Sequence, residues 1–585
     1  MSKNRPTTST AGDHPHESLR ETIDSILVAL ILAFVFRAFV VEAFVIPTGS
    51  MAPTLSGAHG TIVCDNCGWE FTYGLVDTAN APQHAAIRQA TDAGIECPNC
   101  RYVNRNLQIT NARGNYESGD RILVLKWPFD IGGPLLGPQR WQVVVFKDPS
   151  DGVTNYIKRL AGMPDEVLEL LDGDVYRAGR ATLSEDALAT LAALRRIKYW
   201  RTQHSRRLRN ANRRPGEPPL VVDDDVPSLR EIERQQAQLS SRRNALLEEL
   251  DHKLHIVHKS GLAQQSLWSV VYDHDFPPRE MGFRQPRWAP ASADNGWSVG
   301  HRTMHCVPGG GKEAFVELHA VIDSHCSYNA PNTGPPPYPV SDLRVSFVAT
   351  VNEDDDGALG VRLRKDDDVF LGEVHLDGVV KLSHRVAGSR SEWQPFGEAR
   401  VNTDLLHRPF EFAMANLDHR VTVCIGGQQV LSTTDDQYAP DIAALRRRTS
   451  TTAFAPAIFA RSLDVVLQHV LVQKDVYYVS DVPRAASPLQ YEAWGTRNHP
   501  IELLPGEYFF LGDNSAQSKD SRLWDVAGNH LASRGEGYQL GTVPRDQLIG
   551  RAFFVYWPSG LRTKLIPAMQ DIGWIPNFGR MRWIR

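Results

Sequence analysis

The stretch IPTGSMAPTL, Ile46–Leu55, lies where the chain leaves a long apolar run and enters polar sequence. That run, SILVALILAFVFRAFVVEAFV, begins at Ser25, and its first charged residue is Arg37. An uncharged helix up to that residue would be about 18 Å long. An arginine side chain that reaches toward the lipid headgroups would extend the helix to about 26 Å at Val41. The sequence therefore predicts a short membrane anchor over 22–42.

The basic residues Lys3, Arg5 and Arg20 precede this run and favour a cytoplasmic N-terminus, so the chain after Ile46 would lie outside the cytoplasm. A cleavable secretory signal has the same basic leader and short apolar region. No A-x-A sequence follows the run, and the uncleaved anchor is therefore the favoured interpretation. The polar residues 1–21 are expected to form a disordered tail.

The 585 residues are too many for one hydrophobic core, so the chain is expected to contain several domains. Their formal net charge of −5 argues against a nucleic-acid partner, which normally requires a basic surplus. Short runs rich in β-branched residues predict a mainly β core. Three chain segments form this core, 43–60, 113–178 and 481–585, and three inserts separate them, 61–112, 179–258 and 259–480.

The insert over 179–258 is expected to be a helical hairpin. Capping boxes begin at Thr182 (TLSE) and Ser228 (SLRE), and a Pro/Gly break, RRPGEPP, separates the two helical patterns. The first helix carries RRIKYWRTQHSRRLR, whose basic face would either be solvated or contact anionic lipid headgroups.

The insert over 259–480 alternates apolar and polar residues in runs such as LRVSFVATV and HRVTVCIGG, which predicts a β-sandwich of roughly ten strands. By pattern alone it resembles the jelly-roll domains of the concanavalin-like lectin and glucanase group. The insert would then either bind sugar or serve as a structural or protein-docking domain.

Ser50 is a candidate nucleophile, but a serine needs a base that accepts its proton. Lys158 lies in NYIKRLAGMPDEVLEL, an apolar and aromatic setting that could bury it. Burial favours the neutral amine and lowers the pKa of a lysine toward neutrality, as a general base requires.

Four ordered boxes behind the anchor resemble those of type I signal peptidases, the Ser/Lys endopeptidases of the S26 family: IPTGSMAPTL, GDRILVLKW, NYIKRLAGMPDE and LGDNSAQSKDSR. The resemblance implies that Ser50 is the nucleophile and Lys158 the general base. It implies that the Thr48 hydroxyl joins the Ser50 N–H in the oxyanion hole, and that Ser518 orients the lysine. The residues expected to support the site are Arg159, Asp513, Asp520 and Arg522.

The same resemblance implies the substrate, the partners and the location. Exported preproteins would be cleaved after small residues, in apolar subsites near Ile46 and Tyr156, with no cofactor for catalysis. The lipid bilayer and the secretion translocase are the expected partners. The protein would be a single-pass inner-membrane protein with its catalytic domain outside the cytoplasm.

Two CxxC knuckles, Cys64–Cys67 and Cys97–Cys100, have a spacing close to that of zinc ribbons. Four thiolates would hold a structural Zn²⁺. Disulfides are the alternative outside the cytoplasm. In the sandwich, Cys306 and Cys326 are a candidate disulfide pair, whereas Cys424 is expected to be a buried thiol.

Two other functions remain open on the sequence. One is a catalytically inactive membrane-anchored scaffold whose sandwich binds glycan or protein. The other is a related Ser/Lys protease that cuts itself or a single partner. The intact set of Thr48, Ser50, Lys158 and Ser518 argues against the first.

Overall fold

The N-terminal apolar run forms a helix, α1 (Pro15–Phe39), in the computed structural model of the protein. The structure describes residues 15–74, 94–105, 116–117, 119–213, 215, 219–282, 285–293, 295–307, 313–329, 337–352, 357–388, 392–448, 454–480, 493–558 and 577–585. The predicted tail over 1–21 lies mostly outside these residues. Among the described helices, one is long and apolar enough to cross a membrane, over Glu21–Phe39, and none of it is buried. The helix ends at Phe39, three residues before the boundary predicted for the anchor.

The core sheet unites three distant parts of the chain. Its first strand begins two residues after α1, and the sheet is antiparallel throughout. The 8 strands are β1 (Val41–Val45), β7 (Arg121–Leu125), β8 (Val143–Lys147), β9 (Asn155–Gly162), β29 (Glu507–Leu511), β30 (Val543–Pro544), β31 (Leu548–Trp557) and β32 (Arg582–Trp583). Their order is β1-β7-β31-β8-β9-β29-β30, with β32 on β31. Strand β9 therefore lies between β8 and β29, which places Lys158 beside the strand that precedes the GDN sequence.

A second, 4-stranded sheet extends the core in the order β12-β11-β10-β28. Its strands are β10 (Glu166–Leu171), β11 (Asp174–Gly179), β12 (His255–Ile256) and β28 (Ile501–Leu503). The buried side chains of both sheets share one apolar cluster, which includes Phe146, Leu160, Leu168, Ile501 and Phe510.

The cysteine-containing insert is built from two small sheets. The first contains β2 (His59–Val63), β3 (Glu70–Gly74) and β6 (Tyr116–Glu117), and the second contains β4 (Ile95–Glu96) and β5 (Val103–Asn104). Each CxxC lies in the turn that joins two paired strands, β2 to β3 and β4 to β5. The remaining parts of the insert, 75–93 and 106–115, are outside the described residues.

The helical insert forms α4 (Glu185–Ala211), α5 (Leu229–Gln238) and α6 (Ser240–Lys253), and the second helical pattern is interrupted at Leu239. Ser228 caps α5 as predicted. The cap of α4 is Ser184 rather than Thr182, because the Ser184 hydroxyl accepts the Ala187 N–H. Short helices complete the chain: α2 (Trp127–Ile131), α3 (Gly133–Leu136), α7 (Gly261–Leu267), α8 (Ile442–Arg447) and α9 (Asn529–Ala532).

The basic residues of α4 bond to the core. Arg195 makes two bonds to the Glu507 carboxylate, at 2.6 and 3.0 Å. Arg206 is fully buried and donates to the Ala527 carbonyl, and Arg209 pairs with Asp525. Arg195 and Arg206 therefore hold the hairpin against the core, whereas Arg209 stays about half exposed, so the predicted solvated face is partly packed on protein.

The large insert is a two-sheet β-sandwich, with more strands than the roughly ten predicted. The first sheet has 8 strands: β13 (Ser269–Asp273), β15 (Trp297–Val299), β16 (Thr303–Cys306), β18 (Leu343–Val351), β23 (Phe410–Leu417), β24 (Arg420–Ile425), β25 (Gln428–Ser432) and β27 (Val465–Lys474). The second has 7 strands: β14 (Arg287–Pro290), β17 (Ala314–His319), β19 (Ala358–Lys365), β20 (Asp368–His375), β21 (Val379–Val386), β22 (Gln394–Arg400) and β26 (Ala457–Arg461). Alternate residues of β18, such as Val345 and Phe347, fill the core between the sheets. Cys306, Cys326 and Cys424 are all free thiols, so the predicted Cys306–Cys326 pair is not formed, and Cys424 is partly exposed rather than buried as predicted.

A buried cluster of charges joins the sandwich to the core. Four carboxylates have oxygens within 4.8 Å of one another: Asp174, Asp342, Asp418 and Asp475. Lys365 contacts Asp174 at 3.2 Å and Asp342 at 2.6 Å. Lys259 contacts Asp418 and Asp475. All four carboxylates thus contact a lysine ammonium group, which supplies the positive charge inside the cluster.

Candidate active site

The Thr48–Ser50 segment lies against the end of β29. The Asn514 N–H donates to the Ser50 carbonyl at 3.1 Å, and the Ala52 N–H donates to the Gly49 carbonyl at 3.0 Å. Met51, the next residue, is fully buried, whereas Thr48 and Ser50 stay partly exposed. The hydroxyls of this turn therefore face a surface that a substrate can reach.

Lys158 meets Ser50 across this surface. Its amine donates to the Ser50 hydroxyl oxygen at 2.5 Å, although 108 residues separate the two in sequence. Lys158 lies opposite Val144 in the β8–β9 hairpin, and it is 5% exposed. The Tyr156 ring, on the same face of β9, lies 5.6 Å from the amine. The sheet therefore holds an amine and a hydroxyl in direct contact at the edge of a buried site.

Burial lowers the pKa of Lys158 to about 8, because the charged ammonium loses its hydration. The negative charges of Asp520 and Asp513 oppose this shift, and the positive charge of Arg522 adds to it. A substantial fraction of the amine is consequently neutral near physiological pH and able to accept a proton.

Two buried arginine–carboxylate pairs surround the lysine. Arg159 donates to both oxygens of Asp513, at 2.8 and 2.7 Å, and both side chains are fully buried. Arg522 donates to both oxygens of Asp520, at 2.8 and 2.7 Å, and Asp520 also accepts the Gly512 N–H. Bidentate pairs of this kind fix orientation. They therefore brace the GDN turn from both sides.

Ser518 and Thr48 are placed at the site without the contacts predicted for them. Ser518 is 2% exposed, and its hydroxyl has no hydrogen-bond partner among the described residues. A Cβ at Gly512 would lie 2.1 Å from that hydroxyl and 2.6 Å from the Ser50 carbonyl, so the hydroxyl lies beside the Thr48–Ser50 segment, the candidate nucleophile loop. No hydrogen bond of the Thr48 side chain is recorded in the described structure.

Sequence reasoning missed several polar residues that build the site. Asn514, although part of the quoted GDN box, was not assigned a role, and its side chain donates to the Gly49 carbonyl at 3.0 Å. Thr54 donates to Asp513 at 2.6 Å. Its position in the quoted stretch was the only signal for it, because hydroxyls are common in turns.

The four knuckle cysteines converge in one place. All four are buried free thiols whose sulfurs lie within 4.8 Å of one another, and the Cys64–Cys100 and Cys67–Cys97 sulfurs are 3.6 and 3.7 Å apart. Because all four are free thiols, they form no disulfide with one another in this structure. A tetrahedral zinc ion with bonds of about 2.3 Å places its sulfurs about 3.8 Å apart. The geometry thus fits a Cys₄ metal site.

Known proteins are similar to parts of the core. The family profile described as signal peptidase, peptidase S26, matches residues 19–67, 100–227 and 461–557, slightly less than half of the chain. Signal peptidase I of Pseudomonas fluorescens is 42% identical over 60 residues, which cover 9% of this chain and 21% of that protein. Probable signal peptidase I-2 of Synechocystis sp. is 31% identical over 109 residues, covering 18% of this chain and 40% of that protein. The chain therefore spans less than half the length of either relative it matches.

Solved structures resemble parts of the chain at low similarity. The carbohydrate-binding module CBM66 from Bacillus subtilis is 13% identical, with a TM-score of 0.21, over 32% of this chain and 94% of that one. An endo-β-1,3-glucanase from Pyrococcus furiosus is 8% identical, with a TM-score of 0.24, over 36% of this chain and 95% of that one. Similarity at this level carries no argument about what the sandwich binds.

The matched residues include every strand of the core sheet except β32. They also include Ser50, Lys158 and the GDN turn, which the sheet brings together. Over these residues, the chain is similar to the signal peptidase family, peptidase S26.

Proposed function

We propose that the protein is a type I signal peptidase, a serine endopeptidase that removes N-terminal signal peptides from exported preproteins. The observation that carries the proposal is the 2.5 Å hydrogen bond between the buried Lys158 amine and the Ser50 hydroxyl. A neutral amine in that position accepts the hydroxyl proton as the serine oxygen attacks a carbonyl carbon. A Ser/Lys dyad is therefore the proposed catalytic pair.

In the proposed mechanism, Ser50 Oγ attacks the scissile carbonyl while Lys158 takes its proton. The Ser50 N–H and the Thr48 hydroxyl stabilise the oxyanion of the tetrahedral intermediate. The lysine ammonium then protonates the leaving amine, and the ester remains on Ser50. Water, deprotonated by the same lysine, hydrolyses this ester and restores the free hydroxyl.

The surrounding polar residues would position the dyad. We assign to Ser518 the role of orienting Lys158, because its hydroxyl is buried beside the nucleophile loop and has no hydrogen-bond partner among the described residues. Arg159, Asp513, Asp520 and Arg522 brace the turn that carries Asn514. No cofactor is needed for these steps, since every proton transfer uses the lysine.

The proposed substrates are preproteins with small residues before the cleaved bond. Ile46, which directly follows β1, and the half-buried Tyr156 on β9 would line apolar subsites. The apolar helix α1 ends two residues before β1, so a membrane-embedded α1 would hold the dyad close to the bilayer. We propose a single-pass inner-membrane protein with a cytoplasmic N-terminus and an extracytoplasmic catalytic domain.

We also propose that the Cys64, Cys67, Cys97 and Cys100 thiolates hold a structural zinc ion. Four sulfur ligands close the coordination sphere, so the ion would stabilise the insert and take no part in proteolysis. The Asn99 side chain, which lies 3.7 Å from the Cys67 sulfur, would support one ligand.

Cleavage of a preprotein by the detergent-solubilised full chain tests the proposed activity. Wild type is expected to cut after an A-x-A sequence, whereas Ser50→Ala and Lys158→Ala are expected to lose nearly all activity. Ser533→Ala and Lys519→Ala, which change exposed residues, are the matched controls and should retain it. A folded wild type without cleavage would refute the proposal and favour an inactive anchored scaffold.

A further inference from the structure

A turn of the β-sandwich insert reaches the nucleophile loop. The Asn329 side chain forms two amide–amide hydrogen bonds with Asn514: its Nδ2 donates to Asn514 Oδ1 at 2.8 Å, and Asn514 Nδ2 donates to Asn329 Oδ1 at 2.6 Å. Asn329 is 8% exposed and Asn514 is 2% exposed, so water does not compete for these bonds. The pair connects the insert directly to the GDN turn.

Asn514 also hydrogen-bonds to the loop that carries Ser50, so it connects Asn329 to that loop. An asparagine amide has two N–H groups, and Asn514 uses one on Asn329 and the other on the Gly49 carbonyl at 3.0 Å. Its backbone N–H holds the Ser50 carbonyl at 3.1 Å. The bond from Asn329 to Asn514 Oδ1 also fixes which end of the amide faces Gly49, since a flipped amide would present an oxygen to that carbonyl.

The Gly49 carbonyl and the Ser50 N–H belong to the same peptide unit. That unit is planar, with its C=O and N–H pointing in opposite directions. A hydrogen bond that fixes the direction of the Gly49 carbonyl therefore also fixes the direction of the Ser50 N–H. This N–H is the backbone donor of the proposed oxyanion hole, whose effect depends on accurate aim.

The turn that contains Tyr328 and Asn329 is held in place by packing and by a backbone hydrogen bond. The Tyr328 ring packs between two glycines, because a Cβ at Gly49 would lie 2.2 Å from the ring and a Cβ at Gly74 would lie 2.3 Å from it. The Gly74 N–H donates to the Tyr328 carbonyl at 2.7 Å. The turn thus packs between the nucleophile loop and the cysteine-containing insert. These contacts hold the backbone of Asn329 in place.

We propose that Asn329 of the sandwich insert is a positioning residue of the peptidase: through the Asn514 amide it aims the Ser50 N–H at the oxyanion. The inference rests on the proposed signal peptidase activity. It makes the sandwich a structural part of the active site, in addition to any partner that the sandwich binds.

Kinetics of Asn329→Ala in the full chain test this role. The variant should lower kcat on a preprotein peptide by about 10- to 100-fold, because a misaimed donor costs less than a deleted one. KM should change little. Asn329→Asp, whose carboxylate still accepts from Asn514 Nδ2, should lose less. Asn352→Ala, which removes an exposed asparagine side chain that donates to Asp464 within the insert, is the matched control.

Inhibitor binding separates positioning from general damage. A peptide aldehyde forms a tetrahedral adduct on Ser50 that carries an oxyanion, and its affinity for Asn329→Ala should fall by the same factor as kcat/KM. The affinity of a cleaved product peptide, which has no oxyanion, should stay as in wild type. Equal losses for both ligands, or a kcat equal to that of Asn352→Ala, would overturn the inference.

The controls keep the two proposals apart. A wild type that cleaves no preprotein refutes the proposed function, whereas an active wild type with an equally active Asn329→Ala refutes only the positioning role. Thermal unfolding establishes that each variant is folded. If Asn329→Ala fails to fold, Asn329→Asp decides, since wild-type kcat and aldehyde affinity in that folded variant would contradict the role.

Discussion

Lys158 has a pKa lowered to about 8 by burial, and it is proposed to act in its neutral form. The neutral fraction rises with pH, so kcat/KM should increase about tenfold per pH unit below pH 8 and level off above it. Initial rates on a preprotein peptide between pH 5.5 and 10 measure this profile. A rate that is flat from pH 6 to 9 would contradict a lysine base with this pKa.

Lys474 provides a matched control for the midpoint of that profile. Burial also lowers its pKa to about 8, but its amine donates to the Asp323 and His325 carbonyls and not to Ser50. Lys474→Met should therefore leave the midpoint of the pH–rate profile unchanged, whatever its effect on the maximal rate.

Stability should respond to the same burial of Lys158. Its folded pKa lies below its unfolded value, so the unfolded chain binds more protons between about pH 8 and 10.5 and stability rises with pH across that window. Below pH 8 the folded protein carries the full desolvation cost. Lys158→Met should therefore stabilise the protein at pH 7, by about 3 kcal/mol at most, and the gain should vanish by pH 10.5. Denaturant unfolding at both pH values measures the difference.

The sequence allowed the prediction of Ser50 and Lys158 because each lies in a motif with its own local pattern. It contained no comparable signal for Asn329. That side chain bonds to Asn514 across 185 residues of chain. An asparagine near a glycine- and proline-rich segment is ordinarily a turn residue. Only the docking of the sandwich on the core distinguishes it.

At the scale of elements, the stability of the cysteine-containing insert should depend on the proposed zinc ion. Asn66 and Asn99, one inside each knuckle, bond to the backbone of 273–280 in the sandwich. A zinc ion that fixes the knuckles therefore also fixes this docking. Purification without chelator should yield about one zinc per chain, and its removal should lower the unfolding temperature.

Matched cysteine variants test this assignment. Cys97→Ser removes one proposed ligand and should lower both the zinc content and the unfolding temperature. Cys424→Ser changes a thiol in the sandwich, remote from the knuckles, and should preserve the zinc content. Zinc-free protein with oxidised knuckle thiols would instead support the disulfide alternative.

The sequence pattern of the basic helix α4 does not determine what its arginines contact. Its periodicity predicted a helix, but arginines on a helix face look alike whether they meet water, lipid or protein. In the structure Arg195 and Glu507 form a largely buried pair. A double-mutant cycle with Arg195→Met and Glu507→Gln should give a coupling energy of about 1–3 kcal/mol in denaturant unfolding. The exposed Arg196–Glu536 pair should give less than about 1 kcal/mol, and equal values would contradict a docked hairpin.

At the scale of the whole molecule, the mainly β core could be predicted, because runs of strand-forming residues recur along the chain. The pairing that joins them could not. Leu511 lies beside Arg159 although about 350 residues separate them in sequence, and local pattern does not encode such a partner. Local pattern also does not encode the buried cluster of charges between the sandwich and the core, because each of its residues alone resembles an ordinary surface residue.

The buried cluster of lysines and carboxylates between the sandwich and the core supports the last prediction. We expect Lys365→Met to destabilise the sandwich and the core together. The variant leaves Asp174 and Asp342 without their shared cation, which should cost about 3–5 kcal/mol at pH 8. Burial raises the pKa of Asp174, so its ionisation opposes folding as pH rises above its unfolded pKa. The loss should consequently be smaller at pH 5, where this carboxyl group is more readily protonated.

Urea unfolding followed by tryptophan fluorescence and by peptidase activity measures both consequences of Lys365→Met. The two midpoints should fall together, because Asp174 belongs to the core and Lys365 and Asp342 belong to the sandwich. Arg344→Met is the control, since its ion pair with Glu411 is partly exposed on the sandwich and should cost less than about 1 kcal/mol. Two outcomes would show that the cluster does not couple the two domains. One is a Lys365→Met protein with wild-type midpoints, and the other is a lower urea midpoint by fluorescence with an unchanged midpoint by activity. The active site receives Asn329 from the sandwich, so a junction that fails should also release the turn that contacts the nucleophile loop.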